Sequence, residues 1–133
     1  MMSGKSLFTH HIHLGPGGRA VPQPEFTGDM SWYEGYGERH GADGAEGRLV
    51  ALHRFEEPWT SWEMHPEGDE VVCCIQGHMT LHQQLPDGVE QSVALGPGEY
   101  AVNPPGTWHT ADAEEPVVAL FITVGKGTTN RPR

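Results

Sequence analysis

The 133 residues suit one domain with a single core and leave little room for a second. Eighteen glycines and eleven prolines punctuate short apolar runs while only 20% of residues are charged, which is the composition of an all-β chain and not of a disordered one. A formal charge of −10 repels phosphate backbones and anionic headgroups, so nucleic acid and membrane surfaces are excluded as partners. No apolar run approaches the roughly 20 residues of a membrane span, and Met1 to Thr9 lacks the apolar stretch of a signal peptide, so a cytoplasmic protein is expected.

Gly15-Pro16-Gly17-Gly18 and Pro22-Gln23-Pro24 disfavour both helix and central strand. Residues 1–30 are therefore expected to form an N-terminal arm with a short edge strand around Leu7 to Leu14. Ser31 to Gly37, with Trp32, Tyr33 and Tyr36, reads as a strand or an aromatic cover, and Arg39 to Gly47 as a loop. Strands are expected over Arg48–Phe55, Ser61–His65, Glu70–Ile75, His78–Leu85, Gln91–Leu95, Tyr100–Asn103 and Val117–Val124. Turns stand at Pro66-Glu67-Gly68-Asp69, Pro86-Asp87-Gly88, Gly96-Pro97-Gly98 and Pro104-Pro105-Gly106. No amphipathic run at helical spacing exceeds about two turns. Short, evenly spaced strands imply a β-sandwich or barrel over residues 31–125, followed by a solvated tail over 126–133.

Glu63 and His65 are two apart in an extended segment and share a face, as two ligands of one ion must. The turn at Pro66 to Asp69 brings Glu70 beside them, and the turn at Pro104-Pro105-Gly106 can return His109 to the same point. A barrel that merely hydrogen-bonds these groups to one another is the alternative, disfavoured because two carboxylates and two imidazoles converging in an apolar interior are costly without a cation.

Glu63-Met64-His65, four residues, Glu70, six residues, Gly77 resembles the first cupin motif. Gly98, five residues, Pro104-x-Gly106, two residues, His109 resembles the second. The resemblance implies a cupin-type double-stranded β-helix, a jelly-roll barrel, over most of the chain after Arg48, with a metal held by Glu63, His65, Glu70 and His109. The chain departs from the pattern at Glu63, where the family has its first His, at Glu57, where the motif opens on Gly, and at Ala113, where the second motif often ends in Asn. Two imidazoles with two carboxylates are a hard, anionic set that favours Mn²⁺ or Fe²⁺, with Ni²⁺ and Zn²⁺ also compatible. If Glu63 stands off the metal, His65, Glu70 and His109 make the two-His, one-carboxylate set of non-haem iron chemistry, and Glu63 becomes a general base or an orienting partner. The resemblance implies a small-molecule metalloenzyme of dioxygenase, isomerase or lyase type whose substrate chelates the metal. The alternative is a non-catalytic module that binds or senses a small ligand.

Period-two alternation puts Cys74 and Gln76 on the face of Glu70, making them candidate pocket residues, and His53 is a candidate for the barrel mouth. Cys73 and Cys74 point to opposite faces, too badly placed to bridge each other, and read as buried small hydrophobes. His10, His11 and His13 have strand spacing for a second metal site but no carboxylate or thiol nearby in sequence, so an edge strand or arm is the expectation. Trp62 and Trp108 directly precede ligands and must face away from the ion. Asp112, Glu114 and Glu115 read as a solvated loop. Exposed aromatics and an arm able to add to a partner's sheet edge suggest a homodimer.

Overall fold

A computed structural model describes all residues, Met1 to Arg133. The chain folds as eleven strands and one helix: β1 (Ile12–Gly15), β2 (Arg19–Pro22), α1 (Met30–His40), β3 (Arg48–Phe55), β4 (Ser61–Met64), β5 (Glu70–Gln76), β6 (Met79–Gln84), β7 (Glu90–Leu95), β8 (Tyr100–Asn103), β9 (Trp108–Asp112), β10 (Val117–Thr123) and β11 (Thr129–Pro132). All strand pairs are antiparallel, in a six-stranded sheet β2-β1-β3-β10-β5-β8 and a five-stranded sheet β11-β4-β9-β6-β7. The two sheets face each other as a jelly roll.

Alternation along each strand decides which face is core. In β5, Glu70, Val72 and Cys74 are buried while the residues between them are only partly covered, and in β6, Met79, Leu81 and Gln83 are the buried set. Val72, Cys74, Met79, Val117, Ala119 and Phe121 meet between the sheets. Each large apolar side chain there contributes about 1.5–3 kcal/mol by leaving water. Gly77 sits at φ 84° between β5 and β6, and a Cβ there would lie 2.4 Å from the Pro116 carbonyl oxygen. That close approach is the physical content of the motif's final glycine.

The expected strands from Arg48 onward are present with ends shifted by a residue or two, and three elements differ from the sequence reading. Met30–His40 is a helix instead of a strand; Asp29 caps it by accepting from the Trp32 amide, and the two glycines and three aromatics inside it hide any helical pattern. Trp108–Asp112 continues past His109 as β9. Thr129–Pro132, read as solvated tail, pairs with β4 because Arg131 lies 5.4 Å from the Trp62 ring and 4.3 Å from the Trp108 ring and bonds Gln84. In the arm, Ser6 to His10 is a turn, and β1–β2 is a hairpin on the chain's own sheet edge.

The outer face of the six-stranded sheet is apolar over two cross-strand rows. One runs Ile12, Val50, Ile122, Val71, Val102, and the other Leu52, Leu120, Cys73, Tyr100. No element of the chain packs over the Tyr100, Val102 and Ile75 end, which are 66%, 41% and 47% exposed. No helix is long and apolar enough to cross a membrane.

Candidate metal centre

Sheet pairing brings the four sequence-selected donors together. Glu63 on β4 is the cross-strand partner of His109 on β9, His65 follows the end of β4, and Glu70 opens β5 on the facing sheet. The His65 Nε2 lies 3.1 Å from Glu70 Oε2 and 3.8 Å from Glu63 Oε2; the His109 Nε2 lies 3.0 Å from Glu70 Oε1 and 3.8 Å from Glu63 Oε2. His65, Glu70 and His109 are buried, and Glu63 is 38% exposed on the open side.

The outer hydrogen bonds fix what each group presents. The Thr128 hydroxyl donates its one proton to the Gly125 carbonyl, so at 2.8 Å it accepts from His65 Nδ1–H. His109 Nδ1–H donates to the Thr107 carbonyl at 3.3 Å. Both rings therefore turn an Nε2 lone pair inward. Glu70 accepts from the Asn103 amide at 3.0 Å and the Thr123 hydroxyl at 2.6 Å, which holds it as an anion, and Gln83 in turn donates to Asn103 at 2.7 Å.

Both Nε2 atoms are buried without a hydrogen-bond partner. Their separations from Glu70 are of hydrogen-bond length, yet neither Nε2 meets the geometry of a hydrogen bond to it. Neighbouring donor atoms about 3 Å apart are what an ion with bonds of about 2.1 Å in octahedral geometry requires, and two orphaned lone pairs beside two carboxylates are a donor set a divalent cation satisfies. Glu63, His65 and His109 each offer an atom within 4.8 Å of the others. The electrostatics agree. Burial opposes charge on Glu70, but His109 and His65 outweigh it and hold the carboxyl well below the usual range. Burial likewise lowers His109, and Glu63 with Glu70 overrides it to raise the imidazole to about 10, so that without an ion a proton takes the Nε2 lone pair that a metal would otherwise occupy. The site is built to hold positive charge.

Beside the centre, Phe55, Glu56, Glu57, Pro58, Trp59, Thr60, Ser61 and Glu63 line an open cleft of about 500 Å³. Trp59 stands edge-on to His109, ring centroids 6.3 Å apart, and contacts Phe55 and Phe121.

The candidate pocket residues separate. Cys74 is fully buried, its thiol against the Gln76 and Gly77 carbonyls, and Gln76 is exposed at the strand end. Four residues of strand carry Cys74 about 13 Å from Glu70, so sharing a face does not mean sharing the pocket. His53 packs against Phe121, Phe26 and His11, and burial, with a smaller effect of His11, lowers it to about 4. Tyr33 of α1 is pushed up to about 12 by burial, with a smaller effect of the Glu63 carboxylate.

Of the N-terminal histidines, His13 has ligand atoms of His40 and Asp43 within 4.8 Å, while His10 and His11 lie outside that group. His11 packs among Phe26, Trp32 and His53. His13 meets Asp43 at 2.7 Å and the Tyr36 hydroxyl at 2.5 Å, using both ring nitrogens. His40 stacks on His13 at 3.9 Å with planes 16° apart, so the in-plane lone pairs run nearly parallel and cannot converge on one ion. The trio is a hydrogen-bonded strut joining β1, α1 and the loop before β3. Asp112, read as part of a solvated loop, bonds His82 and pairs with Arg133 on the outer face.

Sequence reasoning missed Asn103, Thr123, Thr128 and Thr107. Asn103 closes a strand just ahead of the Pro104-Pro105 turn, and Thr123 falls at the cross-strand position of Glu70; these registers are the only signal the sequence carried for them.

The comparisons agree with this architecture. Among solved structures, the Mn(II)-containing oxalate decarboxylase of Bacillus subtilis is 19% identical with a TM-score of 0.55, covering 72% of this chain and 26% of that one. Oxalate oxidase is 15% identical with a TM-score of 0.54, covering 62% and 45%. Hydroquinone 1,2-dioxygenase from Sphingomonas, solved with 4-hydroxybenzoate bound, is 20% identical with a TM-score of 0.49, covering 57% and 59%. The chain thus spans little more than half of the dioxygenase and about a quarter of the decarboxylase. No curated protein matches the chain at a significant level. The family model for the cupin domain matches residues 54–124, over half of the chain and all four inward-facing donors, and the protein belongs to the cupin family.

Proposed function

We propose that this cupin is a small-molecule metalloenzyme in which Glu63, His65, Glu70 and His109 hold one divalent ion, Mn²⁺ or Fe²⁺ by the hardness of the donors. The observation that carries the reading is the pair of buried, partnerless Nε2 atoms of His65 and His109 flanking the Glu70 carboxylate. A metal there supplies Lewis acidity toward a chelating substrate, in an oxidative, isomerising or lyase reaction. The chain's own residues do the rest. Asn103 and Thr123 keep Glu70 ionised, Thr128 and Thr107 orient the imidazoles, and Glu63, the most exposed of the four, is the group able to leave the ion and exchange a proton with substrate.

The arm and the barrel act in this reading as one unit, residues 1–30 bracing the 31–125 barrel. The assembly is a homodimer through the outer face of the six-stranded sheet. The apolar rows cross five strands, about 19 Å at about 4.8 Å spacing, and a second copy supplies an identical apolar face for them to meet.

Elemental analysis of protein purified without a metal-affinity step tests the site. About one equivalent of Mn or Fe is expected in wild type and none in His65→Ala or His109→Ala. Metal retained in Glu63→Ala would make that residue a base and not a ligand. A wild type that neither contains nor takes up a divalent ion sinks the reading.

A further inference from the structure

We infer that the centre selects a neutral or cationic aromatic chelator and turns away small dianions, an inference that rests on the proposed metal site and names its substrate class. Charge comes first. The carboxylates of Glu63 and Glu70 together cancel the charge of a divalent ion, so the occupied centre offers an incoming anion no net attraction. The cleft beside it, which shares Glu63 with the centre, adds more negative charge. Glu56 and Glu57 line it with Glu63, none of its eight lining residues is Lys or Arg, and none of these three glutamates forms an ion pair with Lys or Arg. Oxalate, the dianion named for two structural neighbours, would enter against this field with nothing to balance it.

The walls supply the second half of the argument. Phe55 and Trp59 meet edge to face at 5.7 Å, and Trp59 stands 6.3 Å from His109, so the cleft's aromatic wall adjoins one of the imidazoles that would hold the ion. Trp59 is also fixed, its amide donating to the Ala111 carbonyl at 2.9 Å. An aromatic wall among carboxylates accepts a planar ring and attracts an ammonium group on it, by the ring faces and the glutamates together. Glu56 and Glu57 are exposed and touch no ligand of the ion, so their role is to set the field at the mouth.

The test uses Mn²⁺-loaded protein under anaerobic conditions, with metal content measured on each sample and binding followed by tryptophan fluorescence. Dopamine, catechol and 3,4-dihydroxybenzoate share one chelating head, which enters protonated and gives up a phenolic proton to Glu63 or to solvent as it binds, and they differ in substituent charge; oxalate, which enters already doubly charged, is the fourth probe. Affinity is expected to fall in that order, with dopamine about tenfold or more tighter than 3,4-dihydroxybenzoate at low salt, and with the gap shrinking severalfold at about 0.5 M salt. The double variant Glu56→Gln/Glu57→Gln, altered only at exposed side chains, should narrow the gap without loss of metal. Metal-loaded wild type that binds 3,4-dihydroxybenzoate or oxalate as tightly as dopamine overturns the inference and leaves the metal site standing. Wild type that holds no Mn²⁺ overturns both.

Discussion

Asn103 donates its side-chain amide to Oε1 of Glu70 across 3.0 Å, at the point where β8 and β5 pair residue to residue. Both groups are buried, so the bond fixes the one carboxylate that lies within 3.1 Å of both imidazoles.

Replacing Asn103 by Ala should therefore weaken metal binding about 10–100-fold with the fold retained, since Glu70 loses a donor and Gln83 one of its two acceptors, keeping the Val102 carbonyl. Calorimetric Mn²⁺ titration, with far-UV circular dichroism as the control for folding, measures it. Unchanged affinity would mean that Thr123 alone suffices to hold the carboxylate.

Gly77→Ala should destabilise the protein by about 3 kcal/mol or more. The residue sits at φ 84°, and its new methyl would meet the Pro116 carbonyl oxygen at 2.4 Å, a backbone atom with no free end to move. Urea denaturation gives the value. By contrast Gly88, also at positive φ, has open space around it and should cost only about 1 kcal/mol.

Arg131→Ala should lower stability by about 1–2 kcal/mol, because the guanidinium lies against both Trp62 and Trp108 and ties β11 to the outer face. Arg131→Lys should recover less than half of that, as an ammonium cannot stack. Thermal unfolding of the three proteins separates the cases. Equal loss in both variants would point to the Gln84 hydrogen bond and away from the ring contacts.

His53 titrates near 4 in the folded protein and near 6.5 when unfolded. A lowered base stabilises the fold above its unfolded value, and the contribution is lost as pH falls from 6.5 toward 4, where the unfolded chain takes a proton that the folded chain refuses. About 2 kcal/mol should disappear across that window, with buried His11, also lowered, acting in the same sense. Urea titrations at pH 7 and pH 5 on wild type and His53→Phe check it, and the variant should show the shallower pH dependence.

Tyr100→Glu with Val102→Glu should convert the proposed dimer to a monomer of 14.6 kDa by light scattering. Both side chains already face solvent, so the monomer should remain folded. A wild type that is monomeric at high micromolar concentration would remove the sheet face as an interface.

The barrel and its donors were legible because both rest on short-range rules. Period two puts Glu63 and His65 on one face, and Pro-Gly turns reverse the chain before Glu70 and His109. The helix at Met30 was not legible, since Trp32, Tyr33, Tyr36 and two glycines give no helical stripe; the segment is helical because of the capping bond from Asp29 and the aromatic layer it meets on His11 and His13. β11 was hidden for a similar reason. Its four residues are polar, and what holds them is a cation against rings from two other strands. Asn103, Thr123 and Thr128 were invisible as site residues because their partners lie 33, 53 and 63 positions away.

The last of those spans has a consequence for how the protein matures. His65 is oriented by a hydroxyl made 63 residues after it, and Glu63 must wait for β9 to arrive beside it. A nascent chain that has emerged only through β5 already carries three of the four donors, yet it holds neither the hydrogen bond that orients His65 nor the strand that brings His109. Closure of the long-range sheets and assembly of the proposed centre therefore coincide, and an ion held there as proposed should be captured late in folding.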